Sequence, residues 1–451
     1  MTEILALLQT IAPLLSKTSL RQMSQVIFGM LSVSGRISML GLSRWTEKGG
    51  SYRTIQRFYS SELPWQAIHW LLVRLKFLKP TGQYFIAGDE VVDSKAGKET
   101  YGLDRFFSSI QQRVISGLAF FTFSLVDVEA GRSYPLQMTQ VVRSAEEKAA
   151  SKARKEAKKA AAKTSEKRKR GRPKGSKNKS RKEVELTPEL LRIQTALKSL
   201  LETIGNYLSL VYVVMDGHFG NYPSAYMVRE TGLHLISKMR SDAALYVPFE
   251  GEHNKRGPKP KQGNKIDVRA LPDKYLKETT TEDNLRTEIY QGQFINKEFG
   301  FPLNVVIVVR TNLKTSAQAH VILFSTDLEQ TYDQIIKFYS LRFQIEFNFR
   351  DAKQFWGLED FMNVKETAVT NAANLSLFMV NFSVALAEPF RKQNSDFSML
   401  DLKSHYRGYR YATETINMLP EKPDPILLAE IFQQIARLGA IHPISQPVSS
   451  Q

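Results

Sequence analysis

The segment of residues 339–353, with the sequence YSLRFQIEFNFRDAK, constrains this chain more than any other. If the segment is an α-helix, at about 100° per residue, four polar side chains share an arc of about 60°. These side chains are Tyr339, Arg342, Glu346 and Lys353. Because a helix with one solvent-exposed face has no need of a second polar stripe, we expect this stripe to line a cleft. An ordinary amphipathic helix with a few ion pairs is the alternative.

Apolar side chains flank the polar stripe on both sides of the expected helix. One flank contains Phe343 and Phe347, and the other contains Ile345 and Phe349. The remaining polar residues are expected to face solvent. They are Lys337, Gln344, Asn348 and Asp351.

The positive charge of the chain is concentrated in one segment. The net charge is +17 over 451 residues, and residues 146–182 contain 17 Lys and Arg against four acidic residues. Such an excess indicates a polyanionic partner such as nucleic acid. The hydrophobic content of 42% is typical of a folded soluble protein. We therefore expect a folded body that carries a basic insert of low complexity.

Several classes of protein are disfavoured by composition. The chain contains no cysteine, which excludes disulfides, thiolate metal sites and cysteine nucleophiles. The apolar run at the N-terminus lacks a basic region, so it is a poor signal peptide. The apolar residues 367–387 include Asn371, Asn374 and Asn381, which favours a buried core helix over a membrane span. These features fit an intracellular protein.

Two apolar runs end in an aspartate. The run YFIAGD predicts a strand that ends at Asp89, and the run LVYVVMD predicts a strand, buried on both faces, that ends at Asp216. Glu90 and Asp93 follow the first run, and Asp93 shares a side with Asp89 on an extended strand. Strand geometry therefore leaves Asp93 as a rival of Asp89. A turn residue is the structural alternative for any one of these carboxylates.

Residues 1–80 have helical periodicity. Ser51 follows a Gly-Gly break and is a good N-cap for the next helix. Arg53 and Arg57 are four residues apart, so they share a face of that helix. This helix is a candidate for the second helix of a DNA-binding helix-turn-helix, and an ordinary helical domain with a basic edge is the alternative.

The second half of the basic insert contains a motif that resembles an AT-hook, in which Arg170 and Arg172 flank a glycine and precede a proline. An extended backbone of this kind places both arginines in a narrow A·T minor groove. A solvated loop or a localisation tag is the alternative. We expect the insert to be poorly ordered without DNA, because it has almost no apolar residues to bury. Residues 391–451 are expected to form an irregular tail, whose aromatic and basic residues between 406 and 411 either contact DNA or lie on the surface.

The spacing of the polar stripe is Tyr, two residues, Arg, three residues, Glu, six residues, Lys. This spacing resembles the signature of the DDE transposases of the fourth insertion-sequence family, and all four positions match. The resemblance implies an α/β fold with a ribonuclease-H-like catalytic core, a β-rich insertion and an N-terminal helical domain that binds transposon ends. It implies the catalytic, metal-binding carboxylates Asp89, Asp216 and Glu346 and the DNA contacts Tyr339, Arg342 and Lys353.

The resemblance also implies an organisation along the chain. The expected segments are an N-terminal helical domain (1–80), the first part of the core (81–145), the basic insert (146–186), the second part of the core (187–240), the β-rich insertion (241–300), the third part of the core (301–390) and a C-terminal tail (391–451).

The same resemblance implies the cofactor and the partners. Two Mg²⁺ ions, with Mn²⁺ as the alternative, fit a cluster of carboxylates because these ions prefer hard oxygen ligands. The partner is double-stranded DNA, both transposon ends and target, bound by a homodimer or a larger assembly in the cytoplasm near the nucleoid, without a membrane. Two alternatives are a non-catalytic protein that binds A·T-rich DNA and a ribonuclease-H-like nuclease without strand transfer. The excision route stays open, because some relatives use a Trp in the insertion and none of the four Trp residues lies there.

Overall fold

Helices cover both faces of a large mixed sheet. The computed structural model describes residues 2–46, 49–109, 111–163, 184–252, 260–299 and 301–442. The AT-hook-like residues Arg170 and Arg172 lie outside the described residues.

Five helices precede the sheet. They are α1 (Thr2–Leu8), α2 (Lys17–Ser32), α3 (Met39–Ser43), α4 (Tyr52–Tyr59) and α5 (Trp65–Lys76). Ser51 caps α4 as expected, since its hydroxyl accepts a hydrogen bond from the backbone N–H of Thr54 (3.4 Å). Arg53 and Arg57 are both exposed on α4. The apolar residues of α1 and α2 belong to the same core as those of the helices near residue 340, so a domain boundary at residue 80 stays a prediction.

The middle of the chain alternates between strands and helices. The elements are β1 (Tyr84–Ser94), β2 (Asp104–Ser108), β3 (Arg113–Asp127), β4 (Arg132–Gln140), α6 (Ala145–Lys163), α7 (Pro188–Ile204), β5 (Tyr212–Met215), α8 (Tyr222–Arg229) and β6 (His234–Met239). The residues Thr187 and Pro188 predict a helix that has Thr187 as its N-cap and Pro188 at its first position. Helix α7 begins there, and the Thr187 hydroxyl accepts from the backbone N–H of Leu190 (3.3 Å).

Six further strands complete the sheet. They are β7 (Leu245–Pro248), β8 (Gln262–Lys265), β9 (Leu276–Glu282), β10 (Leu285–Asn296), β11 (Pro302–Asn312) and β12 (Gln318–Ser325). The strand order is β2-β3-β1-β5-β6-β12-β11-β10-β7-β8, with β4 paired to β3 and β9 paired to β10. The strands between residues 241 and 300 are thus hydrogen-bonded into the same sheet as β1 and β5.

The last helices are α9 (Tyr332–Leu341), α10 (Gln344–Trp356), α11 (Glu366–Arg391), α12 (Met399–Met418) and α13 (Pro425–Ile435). Helices α9, α10 and α11 cover one face of the sheet, and α7 and α8 cover the other. Among the described residues, α11 is long and apolar enough to cross a membrane, but 83% of its apolar window is buried inside the protein. The expectation of a buried core helix is therefore confirmed.

The expectation of an irregular tail after residue 390 is wrong, because α12 and α13 occupy most of it. Ser398 and Asp401 form a capping box that starts α12. Tyr406 is buried and its hydroxyl donates to Glu3 (3.0 Å), and Arg407 donates to the backbone oxygen of Ser32 (3.2 Å). Aromatic and basic residues of this region are therefore used to pack α12 against the N-terminal helices.

Candidate active site

Two aspartates directly follow the point where the pairing of the neighbouring parallel strands β1 and β5 ends. The expectation that β1 ends at Asp89 is wrong, because β1 continues to Ser94 in its pairing with β3. Strands β1 and β5 are parallel, and Gly88 pairs with Met215 at the last paired position. Asp89 and Asp216 are the next residues on their strands, and neighbouring strands lie about 4.8 Å apart. Ala87, two residues before Asp89, belongs to the core beneath α9 and α10, so Asp89 projects from that face.

Backbone hydrogen bonds hold both carboxylates at this edge of the sheet. Asp216 caps the short 3₁₀-helix Gly217–Phe219, and its Oδ1 accepts from the backbone N–H of His218 (3.1 Å). Oδ1 of Asp89 accepts from the backbone N–H of Glu90 (2.8 Å). The second oxygen of Asp89, Oδ2, forms an ion pair with Arg342.

The polar stripe lies on two helices, so the expectation of one continuous α-helix is wrong. Helix α9 ends at Leu341 and α10 begins at Gln344. At the junction, the N–H groups of Phe343 and Glu346 donate to carbonyls three residues back, at 3.2 and 3.0 Å. These 3₁₀ bonds tighten the turn to about three residues. The angular positions calculated for an ideal α-helix are therefore not kept across the junction.

Arg342 lies at this junction and joins two carboxylates. Its Nη1 is 3.1 Å from Oδ2 of Asp89, and its Nη2 is 3.5 Å from Oε1 of Glu346. The Arg342 side chain is only 11% exposed. One buried guanidinium therefore brings Glu346, from α10, to the edge of the sheet where Asp89 and Asp216 already lie.

The charge on Asp89 responds to this environment. Burial raises the pKa of Asp89 to about 6, although Arg342 and the N–H of Glu90 act in the opposite direction. The negative charges of Asp216 and Glu346 raise this pKa further. Asp216 and Glu346 therefore both lie within electrostatic reach of Asp89.

The chemistry of this donor set fits a hard divalent cation, because carboxylate oxygens are the ligands that Mg²⁺ prefers. Within the residues that the structure describes, however, no three His, Cys, Asp or Glu side chains are grouped closely enough to hold a metal ion. Arg342 supplies the positive charge between Asp89 and Glu346 instead. Metal binding at these carboxylates requires a closer approach of the three side chains.

Lys353 occupies a different place from the one expected of a DNA contact. Its Nζ lies 2.7 Å from Oδ1 of Asp93 and 2.9 Å from Oε1 of Glu359, and it donates to the backbone oxygen of Val92 (3.2 Å). These three partners match the three N–H donors of a lysine. The role of Lys353 in DNA binding stays a prediction, since a phosphate contact requires it to exchange a partner.

The two rivals of Asp89 lie away from the carboxylate cluster. Asp93 is completely buried beside Lys353; burial raises its pKa and Lys353 opposes that change. Glu90 is exposed and follows Asp89 on the strand, so it projects from the opposite face, near Glu189 of α7. Asp89 is thus the residue of β1 that the structure brings to Arg342.

Tyr339 and the two phenylalanines lie around the junction. Arg342 lies over the ring of Tyr339, with Cζ 5.7 Å from the ring centroid, and burial raises the pKa of the Tyr339 hydroxyl. Phe343 and Phe347, which form one apolar flank of the stripe, are 48% and 36% exposed and contact each other edge to face. Helical periodicity gave no sign that this flank is open to solvent.

Asn348 was expected to face solvent and is instead buried. Its amide nitrogen donates to Oγ of Ser133 on β4 (2.8 Å), so α10 is fixed to the sheet through a polar contact. The sequence carries no signal for this contact, because the two residues are 215 positions apart.

Comparison with known proteins gives the family. The sequence matches a family model described as DDE superfamily endonuclease over residues 10–293, which is more than half of the chain. This match includes Asp89 and Asp216 and ends before Glu346. No curated protein matches the chain. The chain therefore belongs to the DDE superfamily endonuclease family.

Proposed function

We propose that this protein is a DDE transposase of the fourth insertion-sequence family, which cuts DNA at the ends of its element and joins the 3′ ends to a target. One observation carries the proposal: Asp89 and Asp216 directly follow the last paired residues of two adjacent parallel strands, and Arg342 contacts both Asp89 and Glu346. A DDE superfamily endonuclease acts on DNA, which agrees with this arrangement.

Asp89, Asp216 and Glu346 are the residues that would hold the divalent ions. When bound, two such ions activate the attacking water and stabilise the leaving oxygen of a phosphodiester. The chain itself must bring the carboxylates together and hold a polyanion beside them. Arg342 does the first through its two ion pairs, and its charge, with that of Lys353, offsets the repulsion between carboxylates and phosphates.

The N-terminal helices are the proposed site for recognition of transposon ends. Arg53 and Arg57 are exposed on α4, where they are free of buried contacts and face solvent. Tyr339 is half-buried beside Arg342, a position from which its hydroxyl can donate to a phosphate. The DNA partners in this proposal are two transposon ends and a target, held by a homodimer or larger assembly in the cytoplasm, associated with the nucleoid.

The test uses the DNA that flanks the gene, with Mg²⁺ or Mn²⁺, and the variant Glu346→Gln. Glutamine keeps the volume of the side chain and removes the charge that a hard cation requires. We expect the variant to bind the DNA as tightly as the unchanged protein, or more tightly, and to lose cleavage. Glu329→Gln, at an exposed position before α9, is the matched control and should cleave normally. Normal cleavage by Glu346→Gln contradicts the assignment.

Two further assays separate the alternatives. Metal-dependent cleavage separates a transposase from a non-catalytic protein that binds A·T-rich DNA. Joining of a pre-cut end to a second duplex separates a transposase from a ribonuclease-H-like nuclease without strand transfer.

A further inference from the structure

Helix α6 (Ala145–Lys163) has almost no apolar surface to bury. Alanine is its only apolar residue type, and the described side chains after its first turn are exposed. A helix that is polar on all sides gains little from packing. Alanine and lysine favour a helical backbone. The position of α6 relative to the body of the protein depends on contacts of its first turn. The expectation that the insert is poorly ordered without DNA stays a prediction.

The first turn of α6 is held by Glu147. The backbone N–H of Ser144 donates to Oε2 of Glu147 (2.8 Å), and the N–H of Glu147 donates to Oγ of Ser144 (3.1 Å), which is a reciprocal cap. Nη1 of Arg192, on α7, donates to both carboxylate oxygens of Glu147 at 3.0 Å. A carboxylate shared by a helix cap and a guanidinium therefore ties α6 to the body of the protein.

This attachment lies at the same end of the sheet as Asp89, on the opposite face. Arg192 and Glu189 of α7 line a cleft together with Glu90, and Glu90 is the residue after Asp89 on β1. Strand β4 reaches the same end of the sheet, since Gln140 pairs with Phe120 and Phe120 pairs with Val91. Helix α6 starts five residues after the end of β4. The arm therefore begins at the edge of the sheet that carries Asp89.

Three lysines of α6 form one stripe. Lys152, Lys155 and Lys159 are spaced by three and four residues, so they lie within about 60° of one another on the helix. All three are exposed, and they span about 10 Å along the helix axis at about 1.5 Å per residue. Duplex DNA carries one negative charge per about 1.7 Å of its axis, so a stripe of this length can face several phosphates of one strand.

We propose that α6 is a fixed arm that binds the phosphate backbone of the duplex being processed, through Lys152, Lys155 and Lys159. The arm is positioned by the Glu147–Arg192 ion pair, begins at the end of the sheet that carries Asp89 and takes no part in the chemistry. This proposal rests on the proposed function for the identity of the duplex, and it goes beyond that function by assigning a binding surface to the first half of the insert.

The first experiment measures the affinity of the full chain for DNA flanking its gene between 50 and 200 mM salt, without divalent ions. The test variant changes Lys152, Lys155 and Lys159 to Gln. The control changes Lys265 on β8, Lys277 on β9 and Lys314 between β11 and β12 to Gln. It removes the same charge from exposed positions on strands far from β1 in the strand order. We expect the slope of log K against log salt to fall by about 2.7 in the test variant, or about 0.9 for each lost phosphate contact. Over this salt range the unchanged protein should lose about 40-fold more affinity than the test variant. Equal slopes in test and control variants overturn the proposal.

The second experiment asks whether the arm is fixed. Arg192→Gln breaks the ion pair with Glu147 and leaves all three lysines in place. If the ion pair positions the stripe, changing the three lysines in the Arg192→Gln protein should lower the salt slope by at most a third as much as the same change does in the unchanged protein. An undiminished effect shows that the lysines act from a flexible tether, and this overturns the fixed arm. Thermal unfolding of each variant confirms that the body remains folded.

These outcomes are independent of the catalytic assignment. If Glu346→Gln cleaves normally, the proposed catalytic residues fail while the salt slopes still decide the role of α6. If Glu346→Gln loses cleavage and the slopes are unchanged, the catalytic assignment stands and the arm is rejected.

Discussion

The protonation of Asp89 in the candidate active site is set by the groups that surround its carboxyl. Its carboxyl has a pKa of about 6 in the folded protein, compared with the ordinary 3.8, because burial and two neighbouring carboxylates outweigh Arg342. The folded state therefore binds more protons than the unfolded state between these two pH values. Folding stability attributable to Asp89 is complete below about pH 4 and is lost as the pH rises through about 6.

Asp89→Asn should therefore stabilise the metal-free protein at neutral pH. A pKa difference of about two units corresponds to about 3 kcal/mol, which sets an upper limit for the gain. We expect Asp89→Asn to exceed the unchanged protein in unfolding free energy by about 1–3 kcal/mol at pH 7.5, and by close to zero at pH 4. Urea unfolding at several pH values measures this difference. Asp242→Asn, at an exposed position, is the control, and an Asp89→Asn protein less stable than this control at pH 7.5 contradicts the expected repulsion.

At the scale of single residues, the apolar runs drew attention to Asp89 and Asp216, but strand geometry alone could not choose between Asp89 and Asp93. Both project from the same side of β1, and the choice depends on what covers each position. Arg342 covers Asp89 and Lys353 covers Asp93. Those contacts span more than 250 residues, so local patterns contain no information about them.

At the scale of elements, the attachment of α10 to the sheet depends on a buried charge. Asp93 on β1 is fully buried, and its main compensating charge is Lys353 on α10. Breaking a buried ion pair by removing one partner leaves an uncompensated charge and costs about 3–5 kcal/mol. Glu359 alone cannot replace the lysine, because it carries the same sign as Asp93.

Lys353→Ala should therefore destabilise the protein by about 3 kcal/mol, measured by denaturant unfolding at pH 7.5. The double variant Asp93→Asn, Lys353→Met should recover most of this loss, because it removes both charges and keeps similar volumes. Loss of DNA cleavage by Lys353→Ala at unchanged stability would instead support a phosphate contact. Lys337→Ala, at an exposed position of α9, is the control and should change stability by less than about 0.5 kcal/mol.

Elements with strong local signals were predicted well. The cap and first proline of α7, the Ser51 cap of α4 and the apolar strand β5 all lie where the sequence indicates. The junction between α9 and α10 was missed because Arg342 and Phe343 keep helical backbone angles, and only the hydrogen-bond pattern changes. Helix α12 was missed because its aromatic and basic residues suggested a surface role, whereas α12 packs against the N-terminal helices.

At the scale of the whole molecule, pairing between distant strands could not be read from the sequence. The region between residues 241 and 300 contains several strands, and β10 among them joins through β11 and β12 to the part of the sheet that contains β5 and β6. Register in such a sheet is set by long-range burial and not by local composition. The concentration of positive charge was, by contrast, visible at once, because +13 of the net +17 lies in residues 146–182.

The basic insert also gives the last prediction, which concerns the selectivity of the molecule for DNA composition. Arg170 and Arg172 belong to the AT-hook-like motif, and arginine in a narrow minor groove favours A·T-rich DNA. Changing both to Ala should reduce the preference for an A·T-rich over a G·C-rich competitor duplex about 10-fold, since minor-groove contacts discriminate between these two classes. Lys177→Ala with Lys179→Ala removes the same charge from the same insert. This control should weaken binding to both duplexes equally, because a phosphate contact carries no sequence information. An equal loss of preference in both double variants would mean that the insert contributes charge alone.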